Sequence, residues 1–224
     1  MAPPRERPLR ARSAEAKDQR RAALVAAAGR LFADAGFEAI TIARVAESAG
    51  MGKGTAYLYF DTKEALFLEL VGAELTAWCT DFLPDVARLR PARAASALPR
   101  LLAKSFAVRP QARRLLVLQH TRLEPNLGEA AARAFKLHMR ELLDRLVSAI
   151  QVKIPAWRTA DAQVFVMQTL ALVISTSLLS EPAPVIAQVL ASDDQLRPFQ
   201  IDFEPFLAEA LSMLIRGSLE KTTK

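Results

Sequence analysis

The chain has 224 residues, 51% of them apolar, so it is long enough to bury one large core or two smaller ones. Glycine is scarce, and alanine, leucine and arginine dominate, a composition that favours helices. A net charge of +6 suits an anionic partner, while the single cysteine excludes an intrachain disulfide and fits a reducing cytoplasm.

The first 15 residues are predicted to form a disordered basic tail. They combine prolines with Arg5, Arg7, Arg10 and Arg12, and residues 1–63 carry 11 Lys and Arg against 7 Asp and Glu. A solvated tail and an arm that contacts phosphate groups are both compatible with this composition. The same region lacks the apolar segment of a secretory signal.

Helical periodicity begins near Lys17 and continues to Ala35, and Gly36 stands where a left-handed residue would end this first helix. Thr41 is a good N-cap for a short second helix. Gly50 closes that helix and permits a sharp turn, because glycine adopts positive φ without steric cost.

A third short helix is predicted over about residues 53–60, with Gly52 as an N-cap that offers no side-chain oxygen. Thr62 then caps a fourth helix that runs to about residue 80, with Pro84 beyond its end. Later helices are predicted over about 92–108, 110–121, 125–152, 158–180 and 202–219, with a weaker one over 184–191. No strand is expected.

Residues 162–180 carry no charge, and their length approaches that of a membrane span. Seven polar residues among these 19 make the stretch a poor lipid-facing helix. We therefore expect a helix that is buried against protein on most sides, and no membrane partner.

Two short helices separated by a tight glycine turn are the pattern of a helix-turn-helix, whose second helix enters the major groove of DNA. Residues 53–60 suit that role, because they offer a lysine for phosphate, a glycine for close backbone approach and two tyrosines for phosphates or base edges. The expected DNA-contacting residues are Thr41, Arg44, Lys53, Gly54, Thr55, Tyr57, Tyr59 and Lys63.

The run TIARVAESAGMGKGTAYLYFDTKEAL, which spans residues 41–66, resembles the signature of TetR/AcrR-type transcriptional regulators. Two positions depart from the family pattern: Gly52 stands where Ser or Thr is common, and Tyr59 stands where His is frequent. The first departure removes a capping hydroxyl, and the second changes a side chain that reads or positions DNA. The stretch 114–135 is also similar to the AefR-like branch of the family.

The resemblance implies an all-α fold: a three-helix helix-turn-helix DNA-binding domain over 16–62 and a helical effector-binding and dimerisation bundle over 63–224, joined by a connector helix over 62–80. It also implies a homodimer, formed through the helices at about 158–180 and 202–219, that represses at a palindromic operator and is released by a small lipophilic ligand. Candidate ligand contacts are polar or aromatic residues on otherwise apolar helices: Trp78, Phe82, Phe106, Gln119, His120, His138, Phe165 and Gln168.

Two other functions compete with this one. A helical DNA-binding protein without a small-molecule effector, either architectural or controlled by a partner, would have no ligand-sized cavity in its C-terminal bundle. An enzyme is not expected, because the sequence has no Gly-rich phosphate loop and no Cys-His nucleophile pattern.

No cofactor or metal is expected either, since His120 and His138 lack a ligating companion at helical spacing. Cys79 is a redox sensor or, as is more common for a lone cysteine on a helix, a small packing residue.

Overall fold

The computed structural model describes the backbone of residues 9–222 and the side chains of residues 15–220. The α-helices of this part are α1 (Leu9–Asp34), α2 (Ile42–Ser48), α3 (Lys53–Tyr57), α4 (Lys63–Arg88), α5 (Pro91–Ala107), α6 (Pro110–Leu118), α7 (Glu129–Lys153), α8 (Thr159–Ser180), α9 (Pro184–Ser192) and α10 (Phe203–Thr222). Short 3-10 turns occupy Phe37–Ala39, Glu124–Asn126 and Asp194–Phe199, and a π-helical turn occupies Gln119–Leu123. Residues 9–222 contain no strand, which confirms the predicted all-α fold.

The chain divides into two compact units, residues 1–70 and 71–224, and α4 begins in the first and continues into the second. The first helix begins at Leu9, earlier than the expected start near Lys17, and so includes residues 9–15 of the predicted tail. Residues 1–8, with Arg5 and Arg7, lie outside the described part, as do the side chains of Arg10 and Arg12.

Local chemistry sets both ends of α2. The Oγ1 atom of Thr41 accepts a hydrogen bond from the backbone N–H of Arg44 at 3.3 Å, as expected of an N-cap. Gly50 has φ +68°, and this left-handed residue turns the chain towards α3. The third helix ends at Tyr57 rather than near Phe60, because the amides of Leu58 and Tyr59 bond carbonyls only three residues back.

The expectation that Gly36 is left-handed is wrong. Its backbone is extended, with φ −70° and ψ 158°, and α1 has already ended at Asp34. The carbonyl of Gly36 accepts the amide of Ala39 at 3.1 Å and so opens the 3-10 turn that carries Phe37 into the core. This helix end therefore needs no glycine-specific conformation.

Aromatic packing joins three segments of the first unit. Phe67 on α4 is fully buried. The centroid of its ring lies 5.5 Å from that of Phe32 and 4.9 Å from that of Phe37, and both ring pairs are nearly perpendicular. This edge-to-face geometry is the favourable one for aromatic pairs. The core thereby ties α1 and the following turn to the start of α4.

The fourth helix runs past the expected end near residue 80 and contains Pro84 in its last turns. Proline has no N–H to offer the carbonyl of Thr80, four residues earlier, so the helix loses one hydrogen bond there. Thr80 and Pro84 are both exposed, so water can satisfy that carbonyl. The prediction that Pro84 lies beyond the helix was wrong for this reason.

In the second unit, α10 packs against α5 and α8, and α8 also packs against α6 and α7. By length and composition alone, α8 is the one helix among the described residues that could cross a membrane. Only a third of its most apolar window is buried, so the expectation of burial on most sides is wrong for the single chain. Its contacts with three helices leave one apolar face uncovered.

Arg113 on α6 ties the ends of two other helices together. Its guanidinium lies 2.8 Å from a carboxylate oxygen of Glu181, at the end of α8, and 4.0 Å from the ring centroid of Phe203, at the start of α10. The Arg113 side chain is only 9% exposed. Removal of Glu181 or Phe203 would leave this buried charge poorly compensated and would destabilise the protein.

We expect Gly50→Ala to destabilise the protein by about 1–2 kcal/mol, because an L-residue pays that penalty in the left-handed region. Gly36→Ala is the matched control: its backbone is extended and no atom lies within 4 Å of an added Cβ. Urea unfolding followed by circular dichroism measures both variants. Equal losses in the two variants would show that the turn at Gly50 imposes no conformational requirement.

Candidate DNA-binding surface and ligand cavity

The outer face of α3 presents the predicted reading residues to solvent. Lys53 and Gly54 are exposed, and the Tyr57 side chain is 45% exposed. Lys53 and Tyr57 are four residues apart and therefore share one helix face. The buried side of the same helix is formed by Ala56, and Phe60, four residues later, is buried as well. Sequence periodicity alone predicted this division of faces.

Gly52 is the N-cap of α3 and supplies no side-chain hydrogen bond, as its residue type implies. The amides of Thr55 and Ala56 bond its carbonyl at 2.9 and 3.3 Å. No atom lies within 4 Å of a Cβ built on Gly54, so its backbone is open to close approach by a bulky partner.

Two predicted phosphate ligands are engaged within the protein. The Nζ atom of Lys63 donates to the carbonyl of Phe37 at 3.1 Å and lies 3.8 Å from the centroid of the Phe37 ring. The Nη1 atom of Arg44 donates to the carbonyl of Ala39 at 2.6 Å, although Arg44 is exposed. Both cations therefore hold the turn after α1, and any DNA contact would have to share them with it.

Arg21 has a structural role that its place beside the basic tail did not suggest. Its guanidinium pairs with Glu69 at 2.5 Å, donates to the carbonyl of Tyr59 at 3.1 Å and stacks 4.5 Å from the ring centroid of Phe60. These contacts fix the chain just after α3. Tyr59 and Thr55 are themselves half-buried.

The second unit contains a cavity of about 440 Å³, a volume typical of sites for small organic ligands. Its walls come from α4, α5, the π-helical turn, α7 and α8. Fifteen of the twenty wall residues are apolar. The lining comprises Leu75, Trp78, Leu102, Phe106, Gln119, His120, Lys136, Met139, Arg140, Leu142, Leu143, Leu146, Ile150, Phe165, Val166, Met167, Thr169, Leu170, Ala171 and Ile174.

Five of the eight predicted ligand contacts line this cavity: Trp78, Phe106, Gln119, His120 and Phe165. The Trp78 ring stacks on that of Phe106 at 4.5 Å, and its indole N–H donates to Ser105 at 3.0 Å. The other wall residues could not be predicted from the sequence, because leucines and methionines on apolar helix faces are equally typical of a closed core.

The other three predicted contacts lie elsewhere. Phe82 is buried and stacks on the ring of Trp78 at 5.1 Å, away from the cavity surface. The Nε2 atom of His138 shares a hydrogen bond of 2.9 Å with Thr76, and Gln168 is exposed on α8. Aromatic or polar character on an apolar helix did not distinguish these positions from the cavity wall.

A carboxylate beside the cavity is held by three donors. Glu124 accepts hydrogen bonds from Gln119 at 3.0 Å and Lys136 at 2.6 Å, and His120 lies 3.1 Å from its other oxygen. Partial burial acts to raise the pKa of Glu124, but the hydrogen bonds from Lys136 and Gln119 and the nearby charges of Lys136 and His120 outweigh it and lower the pKa to about 2. Glu124 therefore stays ionised at neutral pH.

Each histidine does have a carboxylate at helical spacing, Glu124 for His120 and Glu141 for His138, so the expectation of no ligating companion was wrong. Among the described residues, no group of three or more such ligands could hold a metal ion. Cys79 is fully buried, and this burial raises the pKa of its thiol despite the opposing charge of Arg145. A neutral buried thiol favours the packing role over the redox one.

Comparison with known proteins gives matches to both parts of the chain. Residues 24–70 match the model of the bacterial regulatory proteins of the tetR family, and residues 72–222 match the tetracyclin repressor-like C-terminal domain. The chain is 27% identical over 179 residues to the HTH-type transcriptional regulator BetI of Rhizobium meliloti, a match that covers 78% of this chain and 86% of BetI.

Two further similarities differ in extent. The uncharacterised HTH-type transcriptional regulator YfiR of Bacillus subtilis is 39% identical over 57 residues, which cover 25% of this chain and only 28% of YfiR. The structure of Thermus thermophilus FadR, a TetR-family repressor in complex with lauroyl-CoA, superimposes with a TM-score of 0.57 and 17% identity over 91% of this chain and 93% of that one. At this identity the structural likeness establishes the fold.

We expect Glu124→Gln to lower the melting temperature at pH 7 by about 3 °C, because it removes a charge held by three donors. The folded-state pKa of Glu124 is lowered, so its stabilisation is fully present above the pKa of the unfolded carboxyl and is lost as the pH falls from about 4.5 to about 2. The difference from the original chain should shrink over that interval in thermal melts.

Glu47→Gln, an exposed carboxylate on α2, is the control and should show no comparable change. A difference for Glu124→Gln that is independent of pH would show that the charge of Glu124 contributes nothing to stability.

Proposed function

Since this chain belongs to the TetR family of bacterial transcriptional regulators, we propose that it is a cytoplasmic, homodimeric repressor that binds a palindromic operator and is released by a small lipophilic effector. The single observation that carries the effector part is the largely apolar cavity of about 440 Å³ in the second unit. Its known relatives are regulators, so we assign it no catalytic role.

The exposed face of α3 supports DNA reading by this chain. Lys53 has no hydrogen-bond partner among the described residues and stands at the start of the helix that follows the Gly50 turn. Tyr57 lies one turn further on the same face. We assign Lys53 to phosphate, Gly54 to close backbone approach and Tyr57 to phosphate or a base edge. Thr41, Arg44, Thr55, Tyr59 and Lys63 are secondary candidates, since their side chains already have structural roles or are half-buried.

Uncovered apolar faces on α8 and α10 support dimerisation. Val164 and Leu178 on α8 are 55% and 52% exposed, and their spacing of 14 residues places them on one side of the helix. On α10, Phe206 and Met213 are 43% and 55% exposed. A patch of this kind on two neighbouring helices is typical of an interface between copies of one chain.

The segment between these helices extends the same surface. Residues 181–200 are exposed over nearly all their length, although they include apolar side chains. Val185, Ile186, Val189 and Phe199 are between 48% and 65% exposed. A nine-residue helix such as α9 gains little stability by itself, so we propose that the partner protomer covers it.

The cavity supports an effector-controlled regulator over an architectural DNA-binding protein, which has no use for a ligand-sized space. The FadR structure of the same fold contains lauroyl-CoA, so the fold accommodates an acyl chain. We propose a population shift in which the effector binds one arrangement of the dimer better than the other. The fourth helix, which supplies Leu75 and Trp78 to the cavity wall, is the proposed route to the DNA-binding unit.

For DNA binding, we expect Lys53→Ala to weaken the complex and to reduce the slope of log affinity against log salt by about 1 for each lysine lost. The probe is a duplex that the original protein selects from random-sequence DNA, and fluorescence anisotropy at several salt concentrations gives the slope. Lys104→Ala is the matched control, because Lys104 is an exposed lysine on α5 outside the helix-turn-helix. Equal slopes for the two variants would remove Lys53 from the interface.

For dimerisation, we expect Val164→Glu or Met213→Glu to convert the dimer to a monomer. In a twofold interface both protomers carry the new carboxylate, so two unpaired charges would be buried. Light scattering after size-exclusion chromatography measures the mass. Val152→Glu on α7 is the control, because Val152 is 69% exposed and lies off both faces. A dimer that survives both substitutions on α8 and α10 would place the interface elsewhere.

A further inference from the structure

The cavity of the second unit is elongated and has different chemistry along its length. Its α7 wall extends from Lys136 to Ile150, a separation of 14 residues, or about 21 Å along the helix axis. The stretch nearer the end of α7 contributes only apolar side chains, from Leu142 to Ile150. The polar wall residues Gln119 and His120 meet Lys136 through their shared partner Glu124, so they cluster beside the first half of α7.

The charged groups on the wall are all cationic. Lys136 and Arg140 line the cavity one helical turn apart, and no Asp or Glu belongs to the lining. The Nε atom of Arg140 donates to both carboxylate oxygens of Asp144 at 2.9 Å. Its terminal nitrogens have no hydrogen-bond partner among the described residues, so they remain available to an anion in the cavity.

The polar cluster already binds a carboxylate, which comes from the chain itself. Glu124 is held by Gln119, His120 and Lys136, yet it is not part of the cavity wall. Each of the three donors lines the cavity and therefore faces both Glu124 and the cavity interior. Gln119 is 4% exposed and has a second amide N–H, and the Lys136 ammonium has three N–H groups. An anion inside the cavity can thus compete for the groups that hold Glu124.

We propose that the cavity binds an amphiphile with an unbranched apolar chain and an anionic head group, and that this head group replaces the Glu124 carboxylate as the partner of Lys136. This inference rests on the proposed function in taking the cavity as the effector site. The carboxylate of a fatty acid and a phosphate ester share the required chemistry. Because a bound anion repels Glu124, occupancy displaces the 3-10 turn Glu124–Asn126 and the π-helical turn that joins it to α6.

The test compares head groups on a constant chain. Dodecanoate, dodecyl phosphate, dodecanol and dodecylammonium are titrated into the full-length protein without DNA, below micellar concentrations, by isothermal titration calorimetry. We expect one or both anions to bind about tenfold more tightly than the alcohol and the ammonium, as a charge-assisted hydrogen bond implies. Tighter binding of dodecanoate would identify the head group as a carboxylate, and tighter binding of dodecyl phosphate would identify it as a phosphate ester.

Three variants separate head-group recognition from chain binding. Lys136→Met should remove the preference for anions and leave dodecanol affinity unchanged, while Glu124→Gln should strengthen anion binding by removing the competing carboxylate. Lys104→Met is the control, because Lys104 is exposed on α5 and does not line the cavity. Lys136 is 60% exposed, so its replacement leaves the core intact.

Preferential binding of dodecanol or dodecylammonium would overturn the anionic assignment, and so would an unchanged anion preference in Lys136→Met. Failure of all four probes to bind would reject an unbranched amphiphile as the ligand. The DNA-binding proposal is tested separately with the selected duplex, so failure of the head-group assignment and failure of the regulator assignment give different results.

Discussion

The absence of charge from residues 162–180 is the constraint that organises the second unit. A helix without charged side chains has no face that water solvates well, so its exposed apolar surface favours contact with protein or ligand on every side. One side packs against α6, α7 and α10, with Ala162 and Val173 buried. A second side, including Val166 and Ile174, forms the cavity wall. The third side is open in the single chain, and this links the proposed effector site to the proposed dimer interface through one helix.

Much of the fold was predictable because its determinants are local. The threonine cap of α2 and the left-handed Gly50 each act within a few residues. The errors occurred where local chemistry permits two outcomes. Glycine is stable at both signs of φ, so Gly36 alone did not decide how α1 ends. An exposed proline costs a helix one hydrogen bond but does not always end it, as Pro84 shows.

The candidate sites were less predictable, because contacts between distant residues decide them. Lys63 meets Phe37, 26 residues away, and Arg21 meets Glu69, 48 residues away. From sequence, the three charged residues Lys63, Arg21 and Arg44 are equally suited to phosphate, and only the fold reveals which are already engaged. The cavity shows the same limit: an apolar helix face predicts burial, but not whether a neighbouring helix fills the space or leaves it open.

The helix α4 contributes residues to both units, to the aromatic core of the first and to the cavity wall of the second. Phe67 belongs to the aromatic core of the first unit, and Leu75, eight residues later in the same helix, lines the cavity. Every turn of an α-helix is closed by backbone hydrogen bonds between residues four apart. Pro84, which weakens that ladder, lies beyond Trp78, the last cavity residue on this helix. The stretch from Phe67 to Trp78 contains no proline, and the proposed population shift requires such an uninterrupted stretch if α4 is its route.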